Sequence, residues 1–181
     1  MTIIDKARTW KVVEERLAVE KDAHKRRLLE VVLEHMHAEA VPDLARLMAT
    51  LGEFPDYHFW GPQGDHGPKG RAGVEKYYSD FVASGANHLE LDVDRLVVDD
   101  HAVITEGTMT MLYPGRLLTA MGIAVDDVDA YYMYRDRMLV VWPFDENGTL
   151  IGEDSYSGQA GFVGIADRKV PNEELPPEIR K

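Results

Sequence analysis

Cysteine is absent from all 181 residues, which excludes disulfide scaffolds, thiolate metal sites and cysteine nucleophiles. No apolar run approaches the ~18 residues that a membrane-spanning helix needs. No signal-peptide pattern precedes the first charges, Asp5 and Lys6. The expected compartment is therefore the cytoplasm, with no membrane partner. Basic residues are scarce where acids gather: residues 85–157 hold fourteen Asp and Glu against four Arg, within a net charge of −12. Such a field repels polyanions, so no nucleic acid partner is expected, and a small neutral or weakly charged molecule fits better. "GDHGPKG" lacks the pattern of a phosphate loop. A GxSxG nucleophile elbow is also missing.

What is present is the composition of one globular domain, 45 % hydrophobic and 29 % charged. A chain of this length buries roughly 70 % of its unfolded surface, enough for a core and a ligand cavity. Trp10, Val13 and Leu17 sit at helical spacing, and a second stripe runs Leu29, Val32, Leu33, Met36, His37 and Ala40. On this stripe His37 lies inward and His35 at the edge. "VPDLARLMATLG" predicts a short helix stopped by Gly52, and "DYHFWGPQGDHGPKGRAG" a short aromatic strand followed by a glycine-rich loop. "GVEKYYSDFVASG" predicts a further helix with Gly85 as its C-terminal cap.

After Gly85 the period changes to two. "HLELDVDRLVV", "AVITEGTMTMLY", "DVDAYYMYRDRMLVVWPF" and "TLIGEDSYSG" read as strands, the last two joined by the hairpin signal "ENG". Helices followed by consecutive strands predict an α+β fold with helices on one face of a curved sheet. The expected organisation is an N-terminal helical extension over 1–22, a main domain over 23–158 and a proline-rich charged surface arm over 159–181.

The order of these elements over about residues 24–157 resembles the nuclear-transport-factor-2-like (SnoaL-like) superfamily. "VPDLARLMATL", the segment Gly70–Val74 that opens the next helix, and "FDENGTLIGEDSY" carry the resemblance. It implies a cone-shaped curved, mainly antiparallel (mixed) sheet wrapped on three helices, a hydrophobic pocket inside, no cofactor, and a homodimer or homotrimer. Within that superfamily the pocket pattern is most similar to the scytalone dehydratase and lindane dehydrochlorinase branch. There a catalytic aspartate precedes a leucine of the next helix by seven residues, a count that lands here on His37 before Leu44. The branch's histidine at the start of the following strand falls on His88, with Val103 fifteen residues later. A further pocket histidine falls on Tyr113. The resemblance thus implies His88, His37 and Tyr113 as catalytic candidates, although an acid–histidine dyad would become a pair of histidines. An aspartate supports an imidazolium by charge; a second imidazole can only accept a hydrogen bond or pass a proton.

Two other branches are disfavoured by the residues present. The water-activating positions of limonene epoxide hydrolase hold Gly107, Met109 and Ser155, and the ketosteroid isomerase base position holds Gly61 before Pro62. Tyr57, Phe59, Met36, Met109, Met111, Tyr132, Glu153 and Ser155 are the candidates for contact with a small hydrophobic, ring-bearing substrate. No metal is expected: His35 and His37 point about 200° apart on a helix, and zinc helices place their histidines four apart. The implied activity is a cofactor-free lyase of catabolism or secondary metabolism, dehydrating or deformylating by histidine acid/base chemistry. An isomerase or cyclase using the same pocket, and a non-catalytic binder of a hydrophobic metabolite, stand as alternatives.

Overall fold

A computed structural model describes residues 3–158 and 160–181. Helix α1 (Ala7–Val19) packs on α2 (Ala23–Ala40) and on the edge of the sheet. The Asp22 carboxylate caps α2 by accepting from the backbone N–H groups of His24 at 2.9 Å and Lys25 at 3.0 Å. The buried side of α2 carries Leu28, Leu29, Val32, His35 and Met36. This is the expected stripe rotated by about one residue. The rotation arises because α1 lies along the His37 flank, where the Trp10 ring sits 4.6 Å from the imidazole, while the sheet takes the Met36 flank. A helix with apolar residues on two flanks does not reveal by spacing alone which neighbour takes which flank.

Short α3 (Leu44–Ala49) begins on the Asp43 cap, and α4 (Gly70–Ser84) ends on Gly85 with φ 74°. The predicted aromatic strand is β1 (His58–Gly61), paired with β2 (Gly64–Asp65). Three long strands follow: β3 (Leu89–Val98), β4 (Ala102–Pro114) and, after the one-and-a-half-turn α5 (Gly115–Ala120), β5 (Tyr131–Pro143). The last strand is β6 (Asp154–Ser157). The sheet order is β2-β1-β6-β5-β4-β3, antiparallel except where β1 runs parallel to β6. The fold is α+β, with one curled mixed sheet of six strands holding the helices in its concavity.

Curvature has a local cause. A register shift between Val93 and Arg95 puts a bulge in β3 opposite Gly107 of β4. A Cβ at Gly107 would stand 2.3 Å from the Asp92 carbonyl oxygen, so only glycine allows the strands to close there. Leu29, Val32 and Met36 of α2 meet Val103, Val140 and Trp142 of the sheet in the main core.

The segment read as a surface arm is strapped to the sheet instead. Val170 N–H donates to the Tyr131 carbonyl, Met133 N–H to that of Arg168, and Ile3 N–H to that of Glu174, all at 2.9 Å. Val170 and Leu175 are buried with Ile4 and Leu112. Polar composition hid a few well-placed apolar anchors. Among the described residues, no helix is long and apolar enough to cross a membrane.

Candidate active site

Side-chain alternation on a curled sheet sends every second residue into the concavity. Phe59 of β1, Ser155 of β6, Met138, Val140 and Trp142 of β5, and Met109, Met111 and Tyr113 of β4 therefore border one cavity of about 320 Å³. Met36 and Glu39 of α2, Tyr77 and Phe81 of α4 and Phe162 of the C-terminal segment close it. Glu153, immediately before β6, completes the wall. A larger open groove of about 610 Å³ lies on the outer side of the sheet beside Trp60 and Tyr156, but its charges, Glu106 and Arg137, already pair with each other at 2.7 Å.

Glu39 and Glu153 are the chemically unusual groups. Both are half-buried and border the cavity, and Glu39 also lines a smaller pocket beside Pro42 and Tyr78. Burial pushes the Glu39 carboxyl well above the usual carboxylate range. Burial likewise raises Glu153, and the negative charges of Glu39 and Asp154 raise it further. Among the described residues neither carboxyl has a cation or a hydrogen-bond donor as partner, and no Lys, Arg or His lines the cavity. Two interacting carboxyls of this kind titrate as a unit, and the state sharing one proton spans neutral pH. In that state the cavity presents a base and an acid together.

Aromatic hydroxyls surround the pair. Burial lifts Tyr77 far above its ordinary pKa and Tyr113 to about 12, so both remain protonated donors. No hydrogen bond engages either hydroxyl among the described residues. The Tyr77 ring is held between Phe59 at 5.1 Å and Phe81 at 5.9 Å. Among the described residues no group of three or more His, Asp or Glu is arranged to hold a metal ion.

The model of the SnoaL-like domain matches residues 30–142. The chain belongs to the SnoaL-like family. Solved structures agree at the level of the fold. A candidate SnoaL-like polyketide cyclase from Shewanella putrefaciens superposes with a TM-score of 0.63 at 10 % identity, covering 86 % of this chain and 93 % of that one. A second, from Shewanella denitrificans, gives 0.60 at 12 % identity over 77 % and 96 % of the two chains. AclR, a candidate hydroxylase from Streptomyces galilaeus, gives 0.56 at 14 % identity over 86 % and 92 %. No curated protein sequence matches the chain at a significant level.

Within this SnoaL-like cone the two expected catalytic histidines do not reach the cavity. His37 faces α1, edge-on to Trp10 with Nε2 3.9 Å from Glu14, and its side chain is 31 % exposed. His88 points under the C-terminal strap, its Nδ1 3.7 Å from Glu178 and its ring 6.4 Å from Tyr131. Desolvation and then the nearby Lys6 charge push the His88 pKa down. Neither imidazole borders the cavity, His37 standing against α1 and His88 under the strap, which corrects the expected dyad. Tyr132 also lies elsewhere: it packs with Leu118 and Ile165, and its hydroxyl donates to Asp126 at 2.5 Å.

Tyr113, Phe59, Met36, Met109, Met111, Glu153 and Ser155 all border the SnoaL-like cavity. Tyr57 does not; it stands behind the wall, its hydroxyl 3.2 Å from that of Tyr78. His35, expected at the helix edge, is fully buried between Thr50 and Tyr78. Glu39 was missed as a site residue. Its signal was nonetheless present, because Leu29, Val32, Met36 and Glu39 continue one stripe at spacings of three and four.

Proposed function

We propose that this SnoaL-like protein is an acid/base enzyme that removes a proton from carbon in a small, uncharged, two-ring substrate, using the Glu39–Glu153 pair. One observation carries this reading: two carboxyls without a cationic partner among the described residues share the wall of a mainly apolar and aromatic cavity. Size supports the substrate class. A dry cavity of about 150 Å³ accepts benzene, so about 320 Å³ suits roughly two fused rings. Sign supports it as well, because a wall with two acids and no base rejects carboxylates and phosphates.

In the singly protonated pair, the ionised carboxylate takes a proton from a carbon next to a carbonyl. The carbonyl oxygen gains electron density, and the Tyr77 or Tyr113 hydroxyl, or the protonated carboxyl, donates to it. Loss of a β-hydroxyl as water, protonated by the acid partner, would complete a dehydration. Return of the proton to another carbon would complete an isomerisation. Attack of the carbon on a second carbonyl would close a ring, the outcome suggested by the polyketide-cyclase descriptions of the two Shewanella proteins.

The test follows deuterium from solvent into a neutral bicyclic ketone such as 2-tetralone, read by mass spectrometry. Catalysed exchange is expected in the native protein and a loss of about 100-fold or more in Glu39→Gln and Glu153→Gln. Exchange unaffected by both substitutions would sink the reading. With physiological substrates, product mass separates the outcomes: loss of water marks a lyase, an unchanged mass an isomerase or cyclase.

A further inference from the structure

His35 is a buried titratable group that the proton-transfer scheme does not use, and its hydrogen bonds can be given a direction by elimination. Thr50 Oγ1 lies 2.7 Å from the Leu47 carbonyl oxygen and 2.7 Å from His35 Nδ1. A carbonyl has no proton to give, so the threonine proton occupies the first bond and Oγ1 accepts from Nδ1–H in the second. Burial pushes the His35 pKa down to about 4, leaving one proton on the ring and none on Nε2. Nε2 therefore accepts from the Tyr78 hydroxyl at 3.1 Å, and the Tyr78 oxygen accepts from Tyr57 at 3.2 Å. All protons in the chain run one way, from Tyr57 through Tyr78, His35 and Thr50 to the Leu47 carbonyl.

We propose that His35 is a positioning residue of the acid/base site: it commits the Tyr57 and Tyr78 protons to a chain ending at Leu47, so that neither ring donates to the carboxyl pair. The inference rests on the reading of Glu39 and Glu153 as the acid/base pair. The charges that reach the two hydroxyls are those of Glu39, from α2, and Glu153, from the segment before β6. Asp154 adds its charge at Glu153, and Tyr77, Tyr113 and Tyr134 are the other titratable side chains lining the cavity. A hydroxyl free to turn toward either carboxylate would stabilise its ionised form and lower its pKa. With both protons committed elsewhere, the pair keeps its proton near neutral pH, and Tyr77 and Tyr113 are the hydroxyls left for substrate.

Two measurements on the purified full chain test this without any substrate. Nitrogen-15 NMR of the His35 ring is expected to show a protonated Nδ1 and a bare Nε2 from pH 5 to 8. The opposite tautomer, or an imidazolium in that range, overturns the chain. Carbon-13 titration of the glutamate carboxyls is expected to move down by about one pH unit in His35→Leu, which frees the Tyr78 proton. His35→Gln, whose amide oxygen can still accept from Tyr78, should restore the native curve. Tyr78→Phe, which keeps the ring and frees the Tyr57 proton, should shift it as His35→Leu does, and serves if the leucine variant fails to fold. Unmoved carboxyl titrations in the folded variants overturn the positioning role. Deuterium exchange that survives Glu39→Gln and Glu153→Gln overturns the acid/base reading while leaving the hydrogen-bond chain standing, so the two failures are distinguishable.

Discussion

Replacing Glu153 by Gln should stabilise the protein at alkaline pH and leave it unchanged at acid pH. The sign follows from linkage. The folded-state pKa of Glu153 is raised above its unfolded value, by burial first and then by Glu39 and Asp154. Between the two values the folded state holds more protons than the unfolded chain, so stability falls as pH rises through that window. The contribution is fully present below the unfolded value of about 4.5 and is lost once pH passes the raised folded one. One pKa unit corresponds to about 1.4 kcal/mol. Discounted because the carboxyl borders a cavity that can admit water, the loss at pH 8.5 is on the order of 2 kcal/mol. For a domain of this size about 1 kcal/mol moves Tm by roughly 2–4 °C. Glu153→Gln, close in shape to the protonated acid, should therefore melt within about 1 °C of the native protein at pH 4 and about 4–8 °C above it at pH 8.5. Scanning fluorimetry across that range gives the difference curve directly. The difference cancels contributions from His88, Glu90 and other groups that titrate in both proteins. A flat difference, or a Glu153→Gln protein less stable at pH 8.5, would refute the burial of an unpaired carboxyl.

Other outcomes follow from placement. His37→Ala should leave deuterium exchange within about twofold of native while costing about 0.5–1 kcal/mol of stability from the lost edge contact with Trp10, read by urea unfolding. Gly161→Val should cost about 2 kcal/mol, because a Cβ there meets the Tyr134 ring at 2.4 Å, and it should weaken ligand binding by displacing neighbouring Phe162 from the cavity wall. Leu112→Ala, fully buried beneath the C-terminal strap, should cost about 3 kcal/mol and make the segment after Gly158 more sensitive to proteolysis. Filling the cavity with Met109→Trp should abolish binding of two-ring ligands while their affinity for the His37→Ala protein stays native, as judged by calorimetry.

Much of the architecture could be read locally. The change from helical to twofold periodicity, the helix cap at Gly85 and the turn at Asp145–Gly148 each depend on near neighbours in the chain, and each stands where those neighbours predict. Alternation also puts Met109 and Met111 on one side of β4, where both border the cavity, whereas Tyr113 and the inward side of β1 came from the family resemblance. The catalytic assignment was less legible. Counting from Leu44 selects a position along α2 but not the helix rotation, and a rotation of about one residue exchanges His37 for the flank and buries His35.

By itself, then, the sequence determined the order of helices and strands, the faces of the strands and the absence of thiol chemistry, because all of these follow from residue type and short spacing. Only the tertiary structure decided that two glutamates 114 positions apart, Glu39 and Glu153, share one cavity with no counter-ion among the described residues. It also decided that His88 lies under the C-terminal strap and that His35 links the Tyr78 hydroxyl to that of Thr50. The physical reason is common to these cases. A side chain's charge state and partners depend on desolvation and on groups brought close by folding, and neither is encoded within a few residues of the side chain itself.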